Sequence, residues 1–570
     1  MKKMIFISII LLFFSFSISK AQQACLARTA AHIRLVGDSW AHFPAIYAAY
    51  DSALAKYGFA DYSTVSDGSV LISMTAETWW QNPLARFALE TSLNTDAVRP
   101  IDIIIVSLGG NDVAFGIRKN DSLNVLDDNL FQARMYMDSI FDFIHAKYPN
   151  GQIIWQSYDY PNFNDPCLNL PWNPYCDLWN GRGNPSPYEI NRFMAYMTDF
   201  QDTVVQGYRS RGKEYMHFYN NLGLMQWRYG QLTPLRFDPF DTYPPRTVPL
   251  PYGNMYYPSP LPAMGLLQND TYHLSPQGYT YLAEAYMRQF ISNYFRKGRD
   301  TSIYSMGQNY DGWSDANGGS GIGEVLVGKQ NPSLDTKGIF SFNTEFIPDE
   351  KVIKKASLFF KLKTIKHAYR LGLVFPQHFT LDIKSGTFGN AEIEGTDYSA
   401  VNTATDVACF AGKLIGNDYA LRADLLPSAL QYINKNGITQ FSLSTADSNL
   451  LSFFNGDTTA FEGPYLDIYY DSISVITKIN QQKIDNKMLS VFPNPTSNKI
   501  TLQLDNTWLH QNILLEIYDS KGILVQTTNE LNTSNEQIQL DVSQLAAGGY
   551  FISIKTDKMQ SVATFIKIDE

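Results

Sequence analysis

Four short stretches carry side chains able to do chemistry together. Ser39 closes "IRLVGDS", directly after an apolar run. Gly68 lies in "VSDGSV", and Gly109-Gly110-Asn111-Asp112 follows a second apolar run. Asp270 and His273 stand three apart in "NDTYHLSPQGY". A serine hydroxyl is a weak nucleophile until a base takes its proton. His273 is the candidate base, and Asp270 can fix the imidazole tautomer and stabilise the imidazolium. A tetrahedral oxyanion needs preset donors, which the backbone N–H groups of Ser39 and Gly68 and the amide of Asn111 can supply. Gly58 is an alternative to Gly68.

A second acid–histidine pair, Asp142 and His145, has the same spacing. It falls inside a helical stretch and reads as a surface pair one turn apart. His42 is close to Ser39 but has no carboxylate partner, and Asp38 reads as structural. No cluster has metal-ligand spacing, so neither a metal nor another cofactor is expected.

The elements that must position these residues alternate. Strand-like runs cover Ile33–Val36, Tyr62–Val65, Ile101–Val106, Gln152–Gln156 and Met216–Tyr219. Helical stretches cover Ala41–Lys56, Thr75–Leu93, Leu126–Lys147, Tyr188–Ser210 and Pro276–Phe295. That alternation predicts an α/β fold, a parallel sheet covered on both faces. Ligands of such sheets bind beyond the carboxyl ends of the strands, where Ser39, Gly68 and Asn111 fall.

The ordered set of GDS, a glycine, GxND and DxxH resembles the SGNH hydrolases, also called GDSL esterases/lipases, over roughly residues 32–296. The resemblance implies a three-layer α/β/α catalytic domain. It implies Ser39 as nucleophile, Asp270 and His273 as the rest of the triad, and Ser39, Gly68 and Asn111 as the oxyanion hole. Trp40 stands where the family usually has leucine.

Around these residues two loops could form walls. A long insertion, about 220–268, holds nine prolines between Pro234 and Pro262 and many aromatics. Long ordered loops beside a catalytic edge are commonly functional, which makes Trp40, Trp227, Tyr229, Tyr256 and Tyr257 candidate substrate contacts. Cys167 and Cys176 are the two ends of a ten-residue stretch, "CLNLPWNPYC", and are expected to pair in an oxidising compartment. Cys25 and Cys409 have no evident partner.

The rest of the chain concerns export and attachment. Residues 1–21 read as a signal peptide: Lys2 and Lys3, an apolar run to Ile18, then small residues at the cleavage site. No other stretch is long and apolar enough for a membrane helix, so no transmembrane segment is expected in the mature chain. A formal net charge of −10 argues against nucleic acid as the main partner. Residues 22–299 form the expected hydrolase domain. Residues 300–472 lose helical periodicity and read as an antiparallel β-sandwich, weakly resembling carbohydrate-binding modules. Residues 487–570, with "FPNP", Asp519–Gly522 and Gly549-Tyr550, resemble the C-terminal sorting domain of type IX secretion substrates, a small Ig-like β unit.

The expectation is a secreted or cell-surface serine ester hydrolase, using the type IX machinery and cleaving O-acyl esters, chiefly acetyl, of extracellular polysaccharides. One alternative is a lipid or lysophospholipid acyl hydrolase. An alternative of another class is a surface-binding protein without activity.

Overall fold

The computed structural model describes residues 32–66, 70–95, 101–114, 117–163, 174–232, 242–265, 270–367, 378–412, 414–446, 449–457, 463–470, 490–504, 508–519, 524–530, 535–556 and 560–568. The expected signal peptide, Gly68 and Cys167 lie outside them.

Five parallel strands form the first sheet: β1 (His32–Gly37), β2 (Ser63–Val65), β3 (Ile101–Ser107), β4 (Gln152–Trp155) and β5 (Met216–Phe218), in the order β2-β1-β3-β4-β5. Side chains alternate across a strand, and the two cores follow that alternation. Ile33, Leu35, Ile103, Ile105 and Ile154 enter one core. Val36, Ile104, Val106, Ile153 and Trp155 enter the other. The helices are α1 (Ser39–Ile46), α2 (Ala49–Lys56), α3 (Ala76–Gln81), α4 (Pro83–Thr95), α5 (Gly110–Ala114), α6 (Asp127–Lys147), α7 (Pro174–Gly181), α8 (Pro187–Ser210), α9 (Leu224–Tyr229) and α10 (Pro276–Tyr286). Residues of α1, α2 and α10 pack into the first core, and residues of α3, α4 and α6 into the second.

Two expected helices are broken. Ala48 adopts a left-handed φ of 50° and splits the first into α1 and α2. Asn82, extended at ψ 109°, splits the second into α3 and α4, because the proline after it disfavours a helical residue there. The final expected helix continues past α10 as a π turn, Met287–Ile291, and a last turn, Ser292–Phe295.

From Thr301 to Tyr470, twelve strands form one antiparallel network. Its longest strand, β6 (Ile353–His367), joins two layers. Its first part pairs with β7 (Ala420–Leu425) and β9 (Tyr465–Tyr470), and its last part with β8 (Leu450–Phe453). Phe340, Phe360, Phe441 and Leu466 fill the core between the layers.

The α/β part and this β part belong to one compact unit, Met1–Ser472. Alternation along β6 explains the join. Phe360 faces the β core, whereas its neighbour Phe359 is buried in the core under the parallel sheet. Around Phe359, Arg422 donates to the Gly58 carbonyl at 3.1 Å and pairs with Asp61 at 2.6 Å and Asp424 at 3.0 Å. Arg296 binds both oxygens of Asp467, at 2.5 and 2.7 Å, and lies over Tyr465.

The second unit, Ile473–Glu570, has two antiparallel sheets of three and four strands. Ile500, Leu502, Ile517, Leu540, Ile552 and Phe565 fill its core. Among the described residues, no helix is long and apolar enough to cross a membrane.

Candidate active site

Gly37 ends β1 at φ +136°, and a Cβ there would lie 2.0 Å from the Ser107 carbonyl oxygen. Only glycine lets β1 and β3 meet so closely. The Asp38 N–H donates to that same carbonyl at 2.8 Å. Asp38 is then the N-cap of α1, its carboxylate accepting from the Trp40 N–H at 2.9 Å, as capping residues do. Ser39 is the first helical residue, where backbone N–H groups have no partner within the helix.

His273 reaches Ser39 from the loop before α10. The Asp270–Leu274 loop is pinned by Asn162 N–H donating to the Thr271 carbonyl and Gly265 N–H donating to the His273 carbonyl, both at 2.8 Å. Ser275 caps α10 through its side chain. His273 Nε2 lies 2.8 Å from Ser39 Oγ, and Nδ1 lies 2.8 Å from Asp270 Oδ2. Asp270 Oδ1 accepts from the backbone N–H groups of Tyr272 and His273, each at 2.9 Å. The Phe43 ring packs on the imidazole with centroids 4.7 Å apart. Burial pushes the Asp270 carboxyl up, but its hydrogen bonds from His273 and Tyr272 and the charge of His273 outweigh that and hold it below its ordinary value. A hydroxyl, an imidazole and an ionised carboxylate in this chain can move a proton from the hydroxyl to the ring.

Asn111, in α5, donates its amide to the Met74 carbonyl at 2.9 Å and to Asp38 Oδ2 at 3.4 Å. That places it beside the residue preceding Ser39. Gly68 lies outside the described residues. Gly58 is elsewhere, against Phe359 and Arg422.

The candidate substrate contacts fall in both buried and exposed settings. Trp40 is buried, edge-on to Tyr158 and Tyr279, because the helix position after Ser39 turns the side chain into the core. Tyr229 packs on Tyr281, Tyr257 on Tyr243, and Trp227 under Arg246. Tyr256 is exposed and stacked on Tyr188 at 4.6 Å. Tyr257 and Trp227 thus pack within the insertion, whereas Tyr229 and Tyr256 pack it against α10 and α8. Cys176 and Cys409 are both disulfide-bonded, whereas Cys167 and Cys25 lie outside the described residues. Asp142 and His145 do not pair as expected: Asp142 binds Lys213 at 2.8 Å, and His145 stacks on Tyr215 at 3.7 Å.

Two tyrosines escaped the sequence reading. Tyr175, beside Cys176 in α7, hydrogen-bonds Asp270, and burial first, then the charge of Asp270, pushes its phenol up. Tyr158, just after β4, donates to Asp38 Oδ2 at 2.7 Å. The clue available was position: Tyr158 follows a strand at the edge that holds Ser39 and Asn111.

Known proteins resemble parts of this chain. No curated protein matches it. A family 3 carbohydrate esterase from Clostridium thermocellum is similar at 14% identity over 47% of this chain and 98% of its own, with a TM-score of 0.24. A possible lipase from Chitinophaga pinensis gives 15% identity over 45% and 98%, with a TM-score of 0.23. A gut microbial diltiazem-metabolizing enzyme gives 10% over 66% and 72%, with a TM-score of 0.30. Scores this low establish no shared family. The tail is different: residues 490–568 match the model of the secretion system C-terminal sorting domain. That domain is the mark of type IX secretion, to the cell surface or the exterior.

Proposed function

We propose that the α/β part is a secreted serine ester hydrolase of the SGNH type, acting on O-acyl groups, chiefly acetyl, of extracellular polysaccharides. The observation that carries the reading is the hydrogen-bonded chain from Ser39 Oγ through His273 to Asp270. His273 takes the hydroxyl proton as Oγ attacks the ester carbonyl. Asp270 stabilises the imidazolium, which then protonates the leaving alcohol. The Ser39 N–H and the Asn111 amide serve the oxyanion, with Gly68 as the third donor of the proposal. Water, activated by the same histidine, releases the acid from the acyl-enzyme. The sorting domain supports an extracellular substrate, and an acylated surface polymer meets that condition.

The test is the purified protein assayed on acetylated polysaccharides and on acyl esters of graded chain length. Release of acetate from the polymers, with short acyl chains preferred, is the expected outcome. Absence of all ester hydrolysis overturns the reading, and preference for long chains moves it to lipids.

A further inference from the structure

The proposed oxyanion donors come from two separate strand-to-helix junctions. Ser39 opens α1 after β1, and Asn111 lies at the start of α5 after β3. Tyr158 touches both junctions. Its hydroxyl donates to Asp38 Oδ2 at 2.7 Å, and the Ser107 hydroxyl approaches the phenol oxygen at 3.5 Å. Its ring lies on the start of α5 so closely that a Cβ at Gly110 would sit 2.5 Å from it. This gives the second glycine of Gly109-Gly110-Asn111-Asp112 a reason: it leaves the ring room. Tyr158 is buried, and its hydroxyl is engaged by Asp38. Asp38 in turn accepts from the Trp40 N–H and Ser107 through Oδ1, and from Asn111 through Oδ2.

We propose that Tyr158 is a positioning residue, which through Asp38 on one side and Gly110 on the other fixes the spacing between the Ser39 N–H and the Asn111 amide. This rests on the hydrolase reading above. The Asn111 amide is held by the Met74 carbonyl at 2.9 Å and only weakly by Asp38 at 3.4 Å. Beside the Asp38–Ser107 hydrogen bonds that join the ends of β1 and β3, Tyr158 is the contact that reaches from Asp38 to Gly110, next to Asn111. The titratable groups facing Asp38 are His273, Tyr158 and Tyr279. Burial pushes the Asp38 carboxyl up to about 6, against the pull of the Tyr158 hydroxyl, the Trp40 N–H, Ser107 and the charge of His273. Losing the Tyr158 donor moves Asp38 further up.

Tyr158→Phe keeps the ring and removes the hydroxyl. We expect kcat on a minimal acetyl ester to fall about 10–100-fold with KM nearly unchanged, the signature of displaced transition-state donors. We expect the acid limb of the kcat profile to move to higher pH, a shift that a merely structural tyrosine would not produce. A second readout is the rate at which diisopropyl fluorophosphate labels Ser39: an Oγ–P bond forms, fluoride leaves and His273 takes the proton. That rate should fall with kcat. If the wild-type protein is not labelled at Ser39, the hydrolase reading fails. If wild type is labelled and Tyr158→Phe matches it in labelling, kcat and acid limb, only the Tyr158 proposal fails. Should Tyr158→Phe not fold, Ser107→Ala, which removes the other hydroxyl on Asp38, must still lower kcat about three-fold or more. An unchanged kcat there overturns the proposal as well.

Discussion

Two groups of carboxylates in the first unit are served in opposite ways. At the edge of the parallel sheet, Asp38 is met by a phenol, a hydroxyl, an amide and a backbone N–H. Asp112 is met by the Ala76 N–H. At the seam with the β part, Asp467 is met by Arg296, and Asp61 and Asp424 by Arg422. Neutral donors leave the negative charge costly: burial pushes Asp38 and Asp112 up to about 6. Guanidinium donors cancel the charge and fix geometry bidentately. The edge therefore keeps its carboxylates among neutral donors, and the seam spends paired charge on locking two parts together.

Ser39→Ala draws the sharpest line between the two regions. It should lower ester turnover by on the order of 10³-fold or more, as loss of a triad member does. The melting temperature should stay close to wild type, because one hydroxyl on a helix N-terminus holds no packing. Turnover at the wild-type rate would remove Ser39 from the reaction.

Arg422→Ala should do the reverse. Its guanidinium is buried and holds Asp61, Asp424 and the Gly58 carbonyl. Removing one partner strands buried charge, at a cost of about 3–5 kcal/mol. Chemical denaturation of the first unit reads that loss, while kcat per folded molecule should be unchanged. A loss of kcat with full stability would show that the seam talks to the site.

The structure brings Ser39, His273 and Asp270 together, and residue type and order already group them in the sequence: Ser39 follows a strand, and Asp270 and His273 precede the last long helix. The five strands were recoverable within a residue or so at each end, since buried parallel strands are dense apolar runs. The two broken helices follow from one left-handed alanine and one proline, which apolar periodicity overlooks. The seam was hidden for a deeper reason. Phe359 and Phe360 read alike in an alternating strand, and no local pattern says that one of them enters another core. Tyr158 and Tyr175 were hidden likewise: a tyrosine after a strand carries no mark of the carboxylate that its hydroxyl will find.

Asp112→Asn tests the neutral-donor side of the contrast. The folded-state carboxyl, at about 6, lies above its ordinary 3.8. The folded protein thus binds the proton more tightly than the unfolded chain. Below about pH 4 both states are protonated and nothing is lost. As pH rises to 6, ionisation increasingly disfavours the folded state, and above that the penalty is constant. An amide keeps an oxygen for the Ala76 N–H and cannot ionise. The variant should therefore gain on wild type from pH 4 to 6, by on the order of 1–3 kcal/mol. Parallel denaturation curves at each pH measure the difference. A gap that does not change with pH would mean that the carboxyl titrates normally.

The smallest effect belongs to His145→Ala. His145 sits three residues after Asp142, the same spacing as Asp270 and His273, so spacing alone ranks the two pairs equally. Position separates them. His145 is near the end of α6, stacked on Tyr215, and Asp142 is held by Lys213. Burial, then the charge of Lys213, pushes the imidazole below its usual value against the opposing pull of Asp142. Replacing the ring removes one aromatic contact, worth about 0.5–1.5 kcal/mol, and touches no group of the Ser39 chain. Turnover should match wild type, whereas His273→Ala should fall with Ser39→Ala. Equal losses in the two histidine variants would mean that spacing, rather than placement at the strand ends, had chosen the reacting pair, and the edge of the parallel sheet would no longer be the site.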